Sequence, residues 1–211
     1  MGLVRAPLSV VGESLGWLVR AMAAVRRPAK PMHPYGAVRD GRLVPYGGST
    51  GVAFLDETAV VEVVARESRA IGLPEGWPDV HGLAVRVPLA GGGHGDLLLS
   101  TTGSGPLTRH LLTLTRRQEA GRMSTLFPFR TVIGAVVVSA RYRTPEVVEL
   151  AWAREGEGWQ PFADLMLGER RGDDPDLVFD AVLHTLPGLE QYDAVRRVRE
   201  PSYARARASR A

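Results

Sequence analysis

Three residues near the end of the chain, Arg199, Tyr203 and Arg210, stand four and seven positions apart. On a helix those intervals return to one face. The chemistry they could do is that of a stabilised phenolate. A phenol titrates near 10 and binds a ferric ion poorly until its anion is favoured. A guanidinium one turn away favours the anion and stays charged at any relevant pH. A second set lies upstream in His33-Pro34-Tyr35-Gly36 and Arg66-Glu67-Ser68. An imidazole such as His33 can take a proton from one oxygen and return it to a departing one. Each set also has a plain reading. His33 follows a proline-rich turn suited to a surface group, Arg66 and Ser68 could be strand-end residues, and clustered C-terminal arginines suit a solvated helix face.

The elements that must hold these residues are mostly strands. Val38–Val44, Ala59–Ala65, Leu83–Leu89, Asp96–Thr102, Thr131–Arg143, Glu146–Ala153 and Trp159–Leu167 read as strands, richest in β-branched residues at 59–65 and 136–142. Glycine-rich turns at 47–51 and 91–95 separate them, and 154–158 reads as a hairpin turn. Pro106–Gln118 is compatible with a helix. Leu8, Val11, Leu15, Leu18, Val19, Met22 and Val25 recur at helical spacing, which predicts a docking helix over 1–28. A second helix is expected over 190–211, where Pro201 either kinks it or restarts it. The whole, 1–211, reads as one α+β domain: an antiparallel β-barrel with flanking helices. Trp77, Trp152 and Trp159 are expected to pack that barrel.

Composition narrows the function classes. The chain has no cysteine, which removes disulfides, thiolate metal ligands and cysteine catalysis together. Residues 1–30 carry +4 and 194–211 carry +5, so the body between them carries −6. Basic ends on an acidic body are not the broad positive face of a nucleic-acid binder. No apolar run reaches the ~18–20 residues of a membrane span. The glycine cluster at 91–95 lacks the following Gly-Lys-Ser/Thr of a phosphate loop.

Taken in order, these motifs resemble the haem catalase superfamily. His33-Pro34-Tyr35-Gly36 resembles its distal His-x-x-Gly turn, with Lys30 at the preceding basic position. Arg66-Glu67-Ser68 resembles Arg-Phe-Ser, with glutamate for the phenylalanine. The strand Gly82–Val87, preceded by Asp79, resembles Gly-Phe-Ala-Val-Lys-Phe, and Asp96–Ser100 follows it. Phe179-Asp180 and Leu186-Pro187-Gly188-Leu189 then lead to Arg199, Tyr203 and Arg210. The set spans about residues 30 to 210.

The resemblance implies a haem b cofactor held inside a closed sheet, with Tyr203 as the iron ligand. It implies that Arg199 stabilises the phenolate, and that Lys30, Arg66 and Arg210 meet the propionates. His33 would be the distal acid–base and Ser68 its orienter. Ser100 stands nearest to where catalases place an asparagine. The implied activity is that of a peroxidase, or of an enzyme acting on a small peroxide or organic hydroperoxide. A cytoplasmic location and a homodimer are compatible with it. Two other functions stay open from the residues: a barrel-fold binding or scaffold protein without haem, and a metal-dependent phosphodiester hydrolase using Asp79-Val80-His81 and His94-Gly95-Asp96.

Overall fold

The computed structural model describes residues 35–72, 74, 76–172 and 177–208, with side chains described up to position 200. Lys30, His33, Arg210, the expected helix over 1–28 and the side chain of Tyr203 lie outside the described residues.

Among the described residues ten strands follow in chain order: β1 (Tyr35–Pro45), β2 (Val61–Arg69), β3 (His81–Pro88), β4 (His94–Thr102), β5 (Arg122–Ser124), β6 (Phe129–Thr131), β7 (Gly134–Thr144), β8 (Val147–Arg154), β9 (Gln160–Arg171) and β10 (Glu190–Gln191). Every pairing is antiparallel. The hydrogen-bonded order is β10-β6-β7-β5-β4-β3-β2-β1-β9-β8, and β8 also pairs with β7. That last pairing closes a ring of eight strands, with β6 and β10 as an appendage on the edge of β7. Around the ring, neighbours are neighbours in sequence, apart from the excursion of β6 and the closing pair β1–β9. The helix α1 (Asp193–Ala208) ends the described chain.

Period-two alternation decides the two faces of the wall. On β2, Val61, Val63 and Ala65 point inward, while Glu62, Val64, Arg66 and Ser68 point outward. Leu43, Leu83, Val85, Leu97, Leu99, Met123, Val138, Leu150 and Leu165 join them in one interior cluster. The interior is therefore a packed core, filled by side chains as in other small barrels. Val52, Phe54, Leu55, Leu186 and Leu189 extend the same cluster beyond the strands. The cofactor position inside the sheet that the resemblance implied is thereby corrected: Arg66, Ser68 and Ser100 belong to the outer face.

Where β1 meets β9 the register shifts between Arg39 and Gly41. A Cβ on Gly41 would come within 2.7 Å of the Met166 carbonyl, so only glycine lets the closing strands approach here.

Three local expectations differ from the structure. Pro106–Gln118 is not a helix: it holds a 3₁₀ turn at Thr108–His110, and Gln118 opens another. Bridges from Leu112 to Thr102 and from Thr115 to Asp79 draw the stretch between them into extended form, so tertiary pairing overrides its local preference. The strand expected over Thr131–Arg143 is a hairpin, with β6 ending at Thr131 and β7 starting at Gly134. Of the tryptophans, Trp152 fills the core, Trp77 is 61% exposed, and Trp159 lies on the outer wall.

Candidate functional site

Register brings the upstream candidates together. Gly36 pairs with Ser68 across β1–β2, Ser68 with Gly82 across β2–β3, and Gly82 with Ser100 across β3–β4. The row continues through Ser124, Ser139 and Ala151 on β5, β7 and β8. From Gly36 to Ser100 it crosses three strand spacings, about 14 Å. No side chain in the row is longer than serine, so this part of the outer wall is shallow. Arg66 borders it. Its guanidinium lies over Gly36, where a Cβ would come within 2.7 Å of it. Glycine at position 36, near the start of β1, is thus what lets Arg66 lie flat along the row.

The downstream candidates sit on α1. Its helix runs unbroken through Pro201, although proline forfeits one hydrogen bond there. The break expected at Pro201 does not occur, and positions 199 and 203 lie one turn apart on a continuous helix. Val195, 1% exposed, and Arg199 form the line of α1 that meets the barrel. Arg199 Nη2 donates to the Thr125 carbonyl at 3.0 Å, and its guanidinium carbon lies 5.4 Å from the Phe127 ring centre. The turn that receives it is conformationally constrained: Leu126 has φ +63°. Ser124 Oγ accepts the Leu126 N–H at 3.1 Å, and His110 Nδ1 donates to its carbonyl at 2.6 Å. Such a left-handed leucine costs roughly 1–3 kcal/mol and persists because its surroundings over-determine it.

Glu67 lies on the other face of β2. It points inward, away from Arg66 and Ser68, and is 3% exposed. Tyr142 donates its hydroxyl to Glu67 Oε1 at 2.7 Å, and Arg170 Nε lies 2.9 Å from Oε2. Arg39 Nη1 stands at 3.5 Å, and Gln118 donates to the Tyr142 oxygen at 2.8 Å. Burial, then the Glu67 charge, push the Tyr142 phenol far above its ordinary value. The sequence reading missed this network. Its signal was Glu67 in the inward phase of Val61, Val63 and Ala65.

The two metal-type motifs stay apart. His81 pairs near one end of the β3–β4 hairpin and His94 at the other, about 23 Å away along seven residues. Both Asp79 carboxylate oxygens accept backbone N–H groups, from Ile71 and Gly72 at 2.9 Å each. Asp96 takes a two-pronged bond from Arg86 at 2.9 and 2.8 Å. Among the described residues no group of three or more His, Asp or Glu side chains could hold a metal ion.

His94 has a different partner. Its ring lies 4.1 Å from that of His184, tilted by 41°, and so joins β4 to the segment 177–189. Burial lowers its pKa below the ordinary 6.5, Arg86 adds to this, and Asp96 opposes it. The folded protein then binds fewer protons at His94 than the unfolded chain does. This contribution to stability is complete above pH ~6.5 and is lost as the pH falls from there through the lower folded-state value. Melting temperature should therefore drop between pH 7.5 and 5.5 more in the native protein than in His94→Gln. Parallel curves for the two proteins would contradict this.

No family model and no curated protein matches the sequence. Solved structures do resemble the fold. A bacterial catalase aligns at TM-score 0.61 and 12% identity, over 100% of this chain and 62% of that one. A fungal catalase aligns at TM-score 0.63 and 12% identity, over 98% of this chain and 64% of that one. The fold is catalase-like, and this chain spans just under two thirds of the length of those neighbours. Among the described residues no helix is long and apolar enough to cross a membrane.

Proposed function

We propose that the protein is a small catalase-like haem protein that processes peroxide or an organic hydroperoxide. The observation that carries this reading is the register placing Gly36, Ser68 and Ser100 in one shallow row on the outer wall. The row suits a flat, wide ligand, since its own side chains are no longer than serine over about 14 Å, with the Arg66 guanidinium lying over its Gly36 end. Arg66 at its border and the barrel-facing line of α1 add cationic groups suited to a propionate-bearing macrocycle. The chemistry of the donor set fits as well: a tyrosine is a recognised catalase-type ligand for ferric haem.

Within this proposal Tyr203 holds the iron, and Arg199 favours its phenolate from one helical turn away. Lys30, Arg66 and Arg210 meet the propionates. The bound haem would supply the redox step. His33 removes the proton from one peroxide oxygen and delivers it to the other as that oxygen leaves. Ser68 orients the His33 imidazole by accepting a hydrogen bond from the ring nitrogen that carries the proton. Ser100, shorter than an asparagine, reaches less far toward bound peroxide, and this favours a slower, peroxidase-type reaction over rapid dismutation.

Reconstitution with haem and visible absorbance test the assignment. A high-spin ferric Soret band is expected for the native protein and should be lost or shifted in Tyr203→Phe. An unchanged spectrum in that variant would remove Tyr203 as the ligand. A scaffold without haem would instead give colourless protein whose melting temperature haem does not raise.

A further inference from the structure

We propose that Arg109 and Arg122, stacked on the indole of Trp159, form a binding site for a small oxyanion, a carboxylate or a phosphate. The starting point is a buried charge without a counter-charge. Arg109 is 2% exposed and ranks among the largest fully buried side chains. Its Nε lies 3.3 Å from the Gly105 carbonyl and its Nη2 donates to the Glu157 carbonyl at 2.7 Å. Nη1 is buried with no partner. Among the described residues no carboxylate pairs with Arg109. The nearby Glu157 side chain is taken by Arg154 at 2.6 Å.

Arg122 beside Arg109 is a second cation, and the one carboxylate it pairs with is shared with Arg143. Its Nη1 donates to Ser139 Oγ at 2.8 Å. Its carboxylate partner, Glu149, stands at 3.6 Å and is bound more closely by Arg143 at 2.7 Å. Both guanidiniums lie over Trp159, with their central carbons 4.4 and 5.1 Å from the ring centre. The indole face offsets part of the cost of burying them. It cannot satisfy an N–H that has no acceptor, nor remove the repulsion of two like charges. An oxyanion does both at once, because forked guanidinium donors match its oxygens.

The position also suits a ligand. Arg109 lies beneath the surface turn 104–108, where Leu107 is 84% exposed. It joins that turn to the β8–β9 hairpin through Glu157, and Trp159 Nε1 clips the same two segments by donating to the Ser104 carbonyl at 2.9 Å. A small anion reaches Nη1 by parting these two segments. None of this depends on haem.

Thermal unfolding in inorganic phosphate or acetate, with ionic strength held constant by chloride, tests the site. The native protein should show a saturable Tm rise of about 3 °C at ten times the Kd for at least one anion. The anion giving the larger rise identifies the ligand class. Arg109→Met should lose the rise while keeping its Tm in chloride at or above the native value, because the unpaired charge is gone. A rise of equal size in that variant, or no rise beyond chloride in the native protein, would overturn the proposal. Calorimetric titration of the native protein with phosphate and acetate stands apart from the variant's folding, and absence of saturable heat with both would also overturn it.

Discussion

Replacing Glu67 by alanine is expected to lower the unfolding free energy by about 3–5 kcal/mol. The loss comes from what remains. Arg39, 5% exposed, would keep only the Pro145 and Gly168 carbonyls, at 2.9 and 2.7 Å. The Tyr142 hydroxyl would keep Gln118, which donates to it, and lose the oxygen that accepts its own proton. A buried cation would lose its counter-charge and a buried O–H its acceptor. Urea unfolding of the two proteins gives the difference, and a value under about 1 kcal/mol would contradict this account.

The same reasoning separates the charge from the volume. Glu67→Phe fills the volume with an apolar ring but still strands Arg39 in the core. Adding Arg39→Met removes that cation, so the double variant should recover much of the stability lost by Glu67→Phe alone. Buried ion pairs replaced by apolar groups of similar volume are often neutral or better. The coupling between the two positions should therefore be large, as expected for residues in one network.

The second large effect is expected at Asp96. Its side chain is fully buried and accepts Arg86 through both oxygens. It also accepts the backbone N–H of Asp180 at 2.7 Å. Arg86 in turn donates to the Val178 carbonyl and lies 5.0 Å from the Phe179 ring centre. Asp96 thus fastens the segment 177–189, which leads into α1, to the outer wall of β3 and β4. Asp96→Ala should cost about 3–5 kcal/mol. Hydrogen exchange at Asp180, Val182, Leu183 and His184 should accelerate more than at β7 and β8. Asp96→Asn keeps an oxygen for the Asp180 N–H and should fall between the two. Uniform acceleration over the whole barrel would show that the fastening is not local.

Much of this architecture was legible before any coordinates. The β-branched alternation of 59–65 and 136–142 marks strands, and short turns between strands imply antiparallel neighbours. The order of His33–Gly36, Arg66–Ser68, Asp96–Ser100 and Arg199–Tyr203 pointed to the catalase-like barrel that the structural comparison shows. The three-residue strands β5 and β6 and the two-residue β10 were not legible, because so few residues show no period. Nor was the fate of 106–118. Its leucines suit a helix locally, and only pairing with Thr102 and Asp79 makes part of it extended.

What the amino-acid order determined by itself was the alternation that sorts each strand into two faces, and the helical interval joining Arg199 to Tyr203. These are local consequences of backbone geometry, two residues per strand repeat and 3.6 per helical turn. Tertiary structure alone decided which face became the core, and therefore that Ser68 and Ser100 look outward while Glu67 looks in. It also decided that α1 runs on through Pro201, and that Arg109 is buried with no described carboxylate paired to it. Each outcome depends on contacts between residues remote in the chain, where closing the barrel brings together groups that no short window of sequence contains.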